Sequence, residues 1–476
     1  MAPSTAVLAA AGCFAVASAL HAQSFPGASV GHGFISIPVS ADRRAAVLAK
    51  RDGSGYSDVS IQNLHISGYT IQIEIGTPPQ TLDVAVDTGS VELWVNPNCD
   101  RSSLAKNETV NGQTITYGDS VLTDPAECRK RGRYDASKSS TVGDPKIPSQ
   151  FIVYGGQTTA NIDYVSDKIS IGGLSVDSQI FGAATDSNQT GIGIMGFGPA
   201  RGGYNNSGTY PLFLTQLAKS GAIASPAFSL DLRDLDNATG SIVFGGVDKK
   251  KYMGALATIP FQTVSRKYSN SDSTYEEHSY YLTVKSMTLV RPDGSTKGYD
   301  IGGSFLTSLD CGSANNLLPV GVASAICSDL NGTVTDSVGS CSVDCAARQR
   351  PGGVTFGLDG KDILLSYENM IEEFAGSNGQ PSTCVVRNSD NVAFVNPFTG
   401  ILGAPFLRSS YAVFDWGNSN LHIAQAADCG TNIVAIGNGT NSVPSGNSDC
   451  TSPAARFVAK FGLALGVAVL SGFALL

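Results

Sequence analysis

Charge is what this chain has least of. Only 15 % of its 476 residues are Asp, Glu, Lys or Arg, while 42 % are apolar. That balance excludes general disorder and a coiled coil, which need more charge or a heptad pattern. Basic residues are the scarcer sign, with 31 Lys plus Arg against 40 Asp plus Glu and a net charge of −9. A basic nucleic-acid binder is excluded on that count. Histidine is limited to five residues, at 21, 32, 65, 278 and 422, and no H-E-x-x-H pair occurs. A histidine-built zinc site therefore has no support, and no cysteine spacing suggests another metal site. Helical patterns are few and short, Pro211–Ser220 being the best of them.

What the chain has in quantity is glycine, 54 residues of it, punctuating strand-like runs. The length leaves room for two or three domains and a large core. From about Asp58 to Ala427, apolar alternation is broken by Gly, Asn and Asp turns. Tyr69-Thr70-Ile71-Gln72-Ile73-Glu74-Ile75 before Gly76-Thr77-Pro78-Pro79 is typical. The expectation is an all-β fold with a few short helices.

Both ends read as processing segments. Ala6 to Ala19 is an Ala/Val/Leu-rich run with the shape of a secretory signal, expected over 1–22. Residues 23–51 end in Lys50-Arg51, a dibasic site suited to removal of a propeptide. Phe461 to Leu476 is sixteen uncharged, mostly apolar residues preceded by Arg456 and Lys460. Small residues, a short spacer and this run have the layout of a GPI-attachment signal over 451–476, a spanning tail being the alternative. The Asn/Gly/Ser-rich stretch 431–450 reads as a stalk. Six N-x-[ST] sequons, at Asn107, Asn188, Asn205, Asn237, Asn331 and Asn438, agree with passage through a secretory pathway to the cell surface.

Ten cysteines fit an oxidising compartment. Cys13 would leave with the signal. Cys99 with Cys128, Cys327 with Cys341 and Cys345 with Cys384 form local pairs. If the chain is cut before Cys450, Cys311 and Cys429 are left over, bonded together or both free. If Cys450 is retained it can pair with Cys429, leaving Cys311 a buried free thiol, which is the expected outcome.

The chemistry enters through an internal repeat. Val84-Ala85-Val86-Asp87-Thr88-Gly89-Ser90 is answered by Leu306-Thr307-Ser308-Leu309-Asp310-Cys311-Gly312-Ser313. Each copy is a β-run that ends in an Asp on a Gly-containing turn. One Asp-Thr-Gly alone is more often an Asx-type turn than a catalyst. Two copies half the folded length apart imply two similar lobes, N-terminal over about 58–245 and C-terminal over about 246–427, within a domain of 52–430. Each lobe would donate one carboxylate to a shared cleft. A second echo follows each copy, Gly193-Ile194-Met195-Gly196 and Gly400-Ile401-Leu402-Gly403, suited to a strand passing close to another backbone.

Rival motifs weigh less. Gly191 to Gly196 satisfies G-x-G-x-x-G, but Phe197-Gly198-Pro199 intervenes where a helix should open. Gly27 to Gly31 satisfies G-x-S-x-G inside the propeptide, with no strand before it. The basic run Arg129 to Arg133 reads as a solvated loop, a processing site or an anion patch.

With these residues in place, the sequence resembles the pepsin-type aspartic peptidases, and its layout resembles the fungal yapsin-like group. The resemblance covers roughly Tyr69 to Ala426. It implies a two-lobed fold, catalytic Asp87 and Asp310, and a flap carrying Tyr154 and Gly155, with Trp94 bonded to the flap tyrosine. Ser90 and Ser313 fall where hydroxyls support the carboxylates, and Thr88 and Cys311 where side chains tie the two lobes. Tyr134 to Ser140 is similar to the family's stretch ahead of the flap.

The need for two Asp is independent of the family. Carboxylates about 3 Å apart cannot both ionise, so they share a proton and titrate as a pair. One takes a proton from water while the other polarises the substrate carbonyl. An acid working pH follows, with no need of metal or cofactor, and the resemblance implies hydrolysis of polypeptide substrates by a monomer that binds no nucleic acid. One departure stands out: Cys311 replaces a hydroxyl residue, and Asn315-Asn316 replace apolar and hydroxyl ones. A thiol is a weak donor. The alternative reading is therefore a surface pseudo-peptidase that binds polypeptide without cleaving it.

Overall fold

The computed structural model describes residues 29–31, 34–36, 57–63, 68–95, 99, 107–110, 113–116, 129–154, 159–188, 192–199, 209–234, 239–267, 274–336, 339–374, 382–391, 399–444, 446, 448 and 450. The signal segment, Lys50-Arg51, Gly155, Cys128, the sequons at Asn205 and Asn237, and the 451–476 tail lie outside them.

Alternation builds the first hairpin. In Tyr69–Ile75 the residues Ile71, Ile73 and Ile75 are buried while Gln72 and Glu74 face solvent. The strand pairs antiparallel with Gln80–Asp87, Ile73 opposite Leu82. The turn needs glycine at 76, where φ is +89° and a Cβ would lie 2.8 Å from the Ser139 hydroxyl. Val84 and Val86 anchor the second strand in the core, so Asp87 emerges at its end.

Each lobe then repeats one arrangement. Gly193–Gly196 runs parallel to Gln80–Asp87, with Gly196 opposite Asp87, and antiparallel to Leu93–Val95. In the second lobe Thr399–Leu402 runs parallel to Phe305–Leu309 and antiparallel to Asn316–Leu318. The glycine echoes are required by contact. A Cβ on Gly193 would lie 2.2 Å from the Trp94 carbonyl oxygen, and one on Gly403 would lie 2.3 Å from that of Asn315. Gly193–Gly196 of the G-x-G-x-x-G match form a strand, and Gly191 lies outside the described residues.

The lobes share a sheet. Thirteen strands form one sheet in which Ala227–Asp231 lies between Thr239–Phe244 and Ser410–Asp415, with Asn420–Ala426 and Tyr252–Pro260 beyond. One hydrophobic core runs through both lobes and includes Cys311. A smaller cluster of Val91, Trp94, Ile162, Tyr164 and Tyr210 packs against Ile152 of the edge strand Gln150–Val153. The expected helix is present as Phe213–Lys219, burying Phe213, Leu214 and Leu217.

Cys327–Cys341 and Cys345–Cys384 are disulfides, and Cys99 is disulfide-bonded. Cys429 pairs with Cys450, and among the described residues Cys311 is the free cysteine, buried. The stalk expectation fails over 431–450. Ile433–Ala435 pairs antiparallel with Gly246–Asp248, and Ile436 and Val443 are buried against Tyr252 and Tyr411. Asp428 binds both Arg233 and Lys251. Average composition hid these few apolar side chains, which dock the segment. In the basic run Arg131 pairs with Asp83 at 3.3 Å, while Arg129, Lys130 and Arg133 are exposed. Asn331 and Asn438 are exposed. No helix among the described residues is long and apolar enough to cross a membrane.

Candidate active site

The two Asp turns are built alike. The Gly89 N–H donates to Asp87 Oδ1 at 2.8 Å, and the Gly312 N–H donates to Asp310 Oδ1 at 2.8 Å. These Asx turns present both carboxyls at strand ends. The turns face each other across the seam between lobes. A Cβ on Gly89 would lie 2.6 Å from the Asp310 carboxyl, and a Cβ on Gly312 would lie 2.5 Å from Asp87 Oδ1. Each carboxyl thus sits over the opposite lobe's glycine, which brings the two carboxyls together at the seam. Burial, then the adjacent Asp87 charge, holds the Asp310 carboxyl well above the usual carboxylate range.

Support for the pair is unequal. Ser90 donates its hydroxyl to Asp87 Oδ2. Ser313, expected to do the same for Asp310, donates instead to the Asn315 carbonyl at 2.8 Å. The Ser313 turn curls back on its own strand, which takes the hydroxyl away from the carboxyl.

Beneath the pair the lobes grip each other. Thr88 Oγ1 donates to the Leu309 carbonyl at 3.1 Å and accepts from the Cys311 N–H at 2.9 Å. Cys311 Sγ donates to the Val86 carbonyl at 3.3 Å. Burial and the nearby carboxylates push this thiol far up, so it stays protonated and remains a donor. Asn316, noted in the sequence only as a departure, is fully buried and has a role. Its Oδ1 accepts from the Gly403 N–H at 2.9 Å and its Nδ2 donates to Asn388 at 2.9 Å. An amide there closes the lobe's strand crossing, where a hydroxyl could not reach both partners.

Tyr154, the expected flap residue, follows the edge strand Gln150–Val153. Trp94 donates its indole N–H to the Tyr154 hydroxyl at 2.7 Å, the rings 6.5 Å apart. Burial, opposed in part by that bond, raises the phenol, which therefore stays neutral. Sequence reasoning missed the buried cross-lobe contact of Arg408 with the Tyr69 hydroxyl at 2.9 Å. Nothing local signals it, since the two residues are 339 positions apart.

Two β lobes with a carboxyl pair meeting at their seam define the architecture of a two-lobed aspartic peptidase. The chain belongs to the eukaryotic aspartyl protease family, whose sequence model matches residues 68–426. It is similar to the probable aspartic-type endopeptidase opsB of Aspergillus oryzae, 32 % identical over 402 residues covering 82 % of this chain and 75 % of that one. It is also similar to an acid protease of Saccharomycopsis fibuligera, 33 % identical over 77 % of this chain and 83 % of that one. Aspartic proteinase yapsin-3 of Saccharomyces cerevisiae is 28 % identical over 83 % of this chain and 73 % of that one. The protein is accordingly a peptide-bond hydrolase of the pepsin-type, yapsin-like kind, acting on polypeptides.

Proposed function

We propose that Asp87 and Asp310 are the catalytic dyad of this endopeptidase. The observation that carries the assignment is the crosswise approach, each carboxyl lying over the other lobe's glycine. Asp310, its carboxyl raised, holds the shared proton and donates to the substrate carbonyl oxygen. Asp87 accepts donor hydrogen bonds from Gly89 and Ser90, which suits the ionised base that takes a proton from the attacking water. The tetrahedral intermediate collapses when that proton passes to the leaving nitrogen. Tyr154, held by Trp94, closes over the substrate and limits bulk water.

No observation favours the pseudo-peptidase alternative, and the grip beneath the dyad is closed by the thiol. The wider reading is a secreted monomer that loses 1–22, then 23–51, and exchanges 451–476 for a lipid anchor on the extracellular side of the cell surface. Residues 431–450 stay with the folded body. The test is digestion of a denatured protein at acid pH. Cleavage blocked by a statine-type inhibitor and abolished by Asp310→Asn supports the dyad, and activity surviving Asp310→Asn overturns it.

A further inference from the structure

Behind the Asp87 turn, one peptide unit is held from two sides. The N–H of Phe197 donates to the Asp87 carbonyl at 2.6 Å, and the N–H of Gly198 donates to the Ser90 carbonyl at 2.7 Å. The approach is possible because residues 196 and 198 are glycine. Cβ atoms there would lie 2.5 Å from the Val91 carbonyl carbon and 2.8 Å from the Ser90 oxygen. The Phe197 carbonyl, on the peptide unit that carries the Gly198 N–H, accepts from the hydroxyl of Tyr280 in the other lobe. That hydroxyl in turn accepts from the indole N–H of Trp416 at 2.6 Å.

We propose that Tyr280 and Trp416 form a cross-lobe donor relay that positions Asp87. The bonds run in one sense, from Trp416 N–H to Tyr280 O–H, to Phe197 C=O, through the peptide to Gly198 N–H, and end on the main-chain carbonyl of Ser90. With the Phe197 N–H on the Asp87 carbonyl, that bond fixes the main chain of the turn from which the Ser90 hydroxyl reaches the Asp87 carboxyl. Hydrogen bonds aligned this way strengthen one another, and accepting at the carbonyl makes the peptide N–H a better donor. Tyr280 is 1 % exposed, its ring fixed by Phe414 at 4.3 Å and Phe261 at 5.1 Å, so the hydroxyl has one direction available. In the Asp310 turn the Ala404 N–H holds the Ser313 carbonyl at 2.9 Å, but the Ser313 hydroxyl is spent on Asn315 rather than on the carboxyl. The two carboxyls of the pair are thereby made unequal by a device that starts outside both turns. Tyr280 is a positioning residue, touching neither substrate nor the reacting atoms.

The proposal rests on the dyad reading above, and Asp310→Asn tests that reading separately. Tyr280→Phe deletes the hydroxyl and keeps the packing. The expected result is a fall of about fivefold in kcat with KM unchanged, the size one neutral hydrogen bond can carry. The fall is read from the kcat profile over the acid range, with KM as the control for substrate binding. The other titratable groups facing Asp87 are Asp310, Cys311 and Tyr154, all unchanged by the substitution. Trp416→Phe, which removes the first donor, should give a smaller change of the same sign. Tyr411→Phe is the control. Its hydroxyl donates to Ser229 and accepts from the Asp248 N–H, in the shared sheet and away from the relay. It should lower Tm without moving the profile. A wild-type kcat profile in both Tyr280→Phe and Trp416→Phe, or the same kcat loss in Tyr411→Phe, overturns the relay.

Discussion

Cys311 Sγ lies 3.3 Å from the carbonyl oxygen of Val86 and donates to it from the opposite lobe. The thiol occupies one arm of a reciprocal contact whose other arm is the Thr88 hydroxyl on Leu309. A thiol donates more weakly than a hydroxyl. Cys311→Thr should therefore raise turnover by about threefold, the larger part of one net hydrogen bond. Cys311→Ala should lower it. Steady-state kinetics at acid pH check both, and an unchanged kcat in Cys311→Thr means that the thiol already holds the seam.

A second prediction concerns pH and stability. A carboxyl raised on folding contributes stability below its unfolded value of about 4, and loses it as pH rises through the folded value. Asp310 is such a group. Ionising both members of the pair at neutral pH should weaken the fold. Asp310→Asn removes that repulsion and should raise Tm at neutral pH by about 2 °C, with no gain in acid. Calorimetry at both pH values reads the difference, and an equal effect at both would refute it.

The flap can be tested through one proton. Trp94→Phe keeps an aromatic ring and deletes the donor to Tyr154. The expected change is a loss of about tenfold in kcat/KM, from a flap less well held over the substrate. Tyr154→Phe should give a similar loss, and the double variant no more than the worse single one. Additive losses would show that the two side chains act separately.

The C-terminal clasp should matter for stability but leave turnover alone. Cys429 and Cys450 close a loop of separation 21. Replacing both with Ser should cost about 3 kcal/mol. Denaturant unfolding would measure that cost, with kcat at room temperature unchanged.

Maturation is checked on cells. Phospholipase should release the protein, with a new N-terminus after Arg51 and no 451–476 epitope. Retention of that epitope would point to a spanning tail.

The Asp turns, the glycine echoes and the Pro211–Ser220 helix are legible in the sequence because each is a local pattern, with cause and effect within a few residues. The flap bond is reachable only through resemblance, since Trp94 and Tyr154 stand 60 positions apart. The role of Asn316 and the direction of the Ser313 hydroxyl depend on which atoms the folded turn brings near. No spacing encodes that. The 431–450 segment reads as a stalk because composition averages over Ile433, Ile436 and Val443, the side chains that dock it.

The shared sheet governs how the chain can be made. Ala227–Asp231 is buried along its whole length, and one of its two neighbours is Ser410–Asp415, nearly two hundred residues later. While the polypeptide leaves the ribosome, the first lobe has an open, apolar strand edge until almost the entire body has been synthesised. Such an edge invites pairing with other chains. A fragment that ends before Ser410–Asp415 is therefore expected to leave that edge exposed and to aggregate, however well formed its own turn around Asp87.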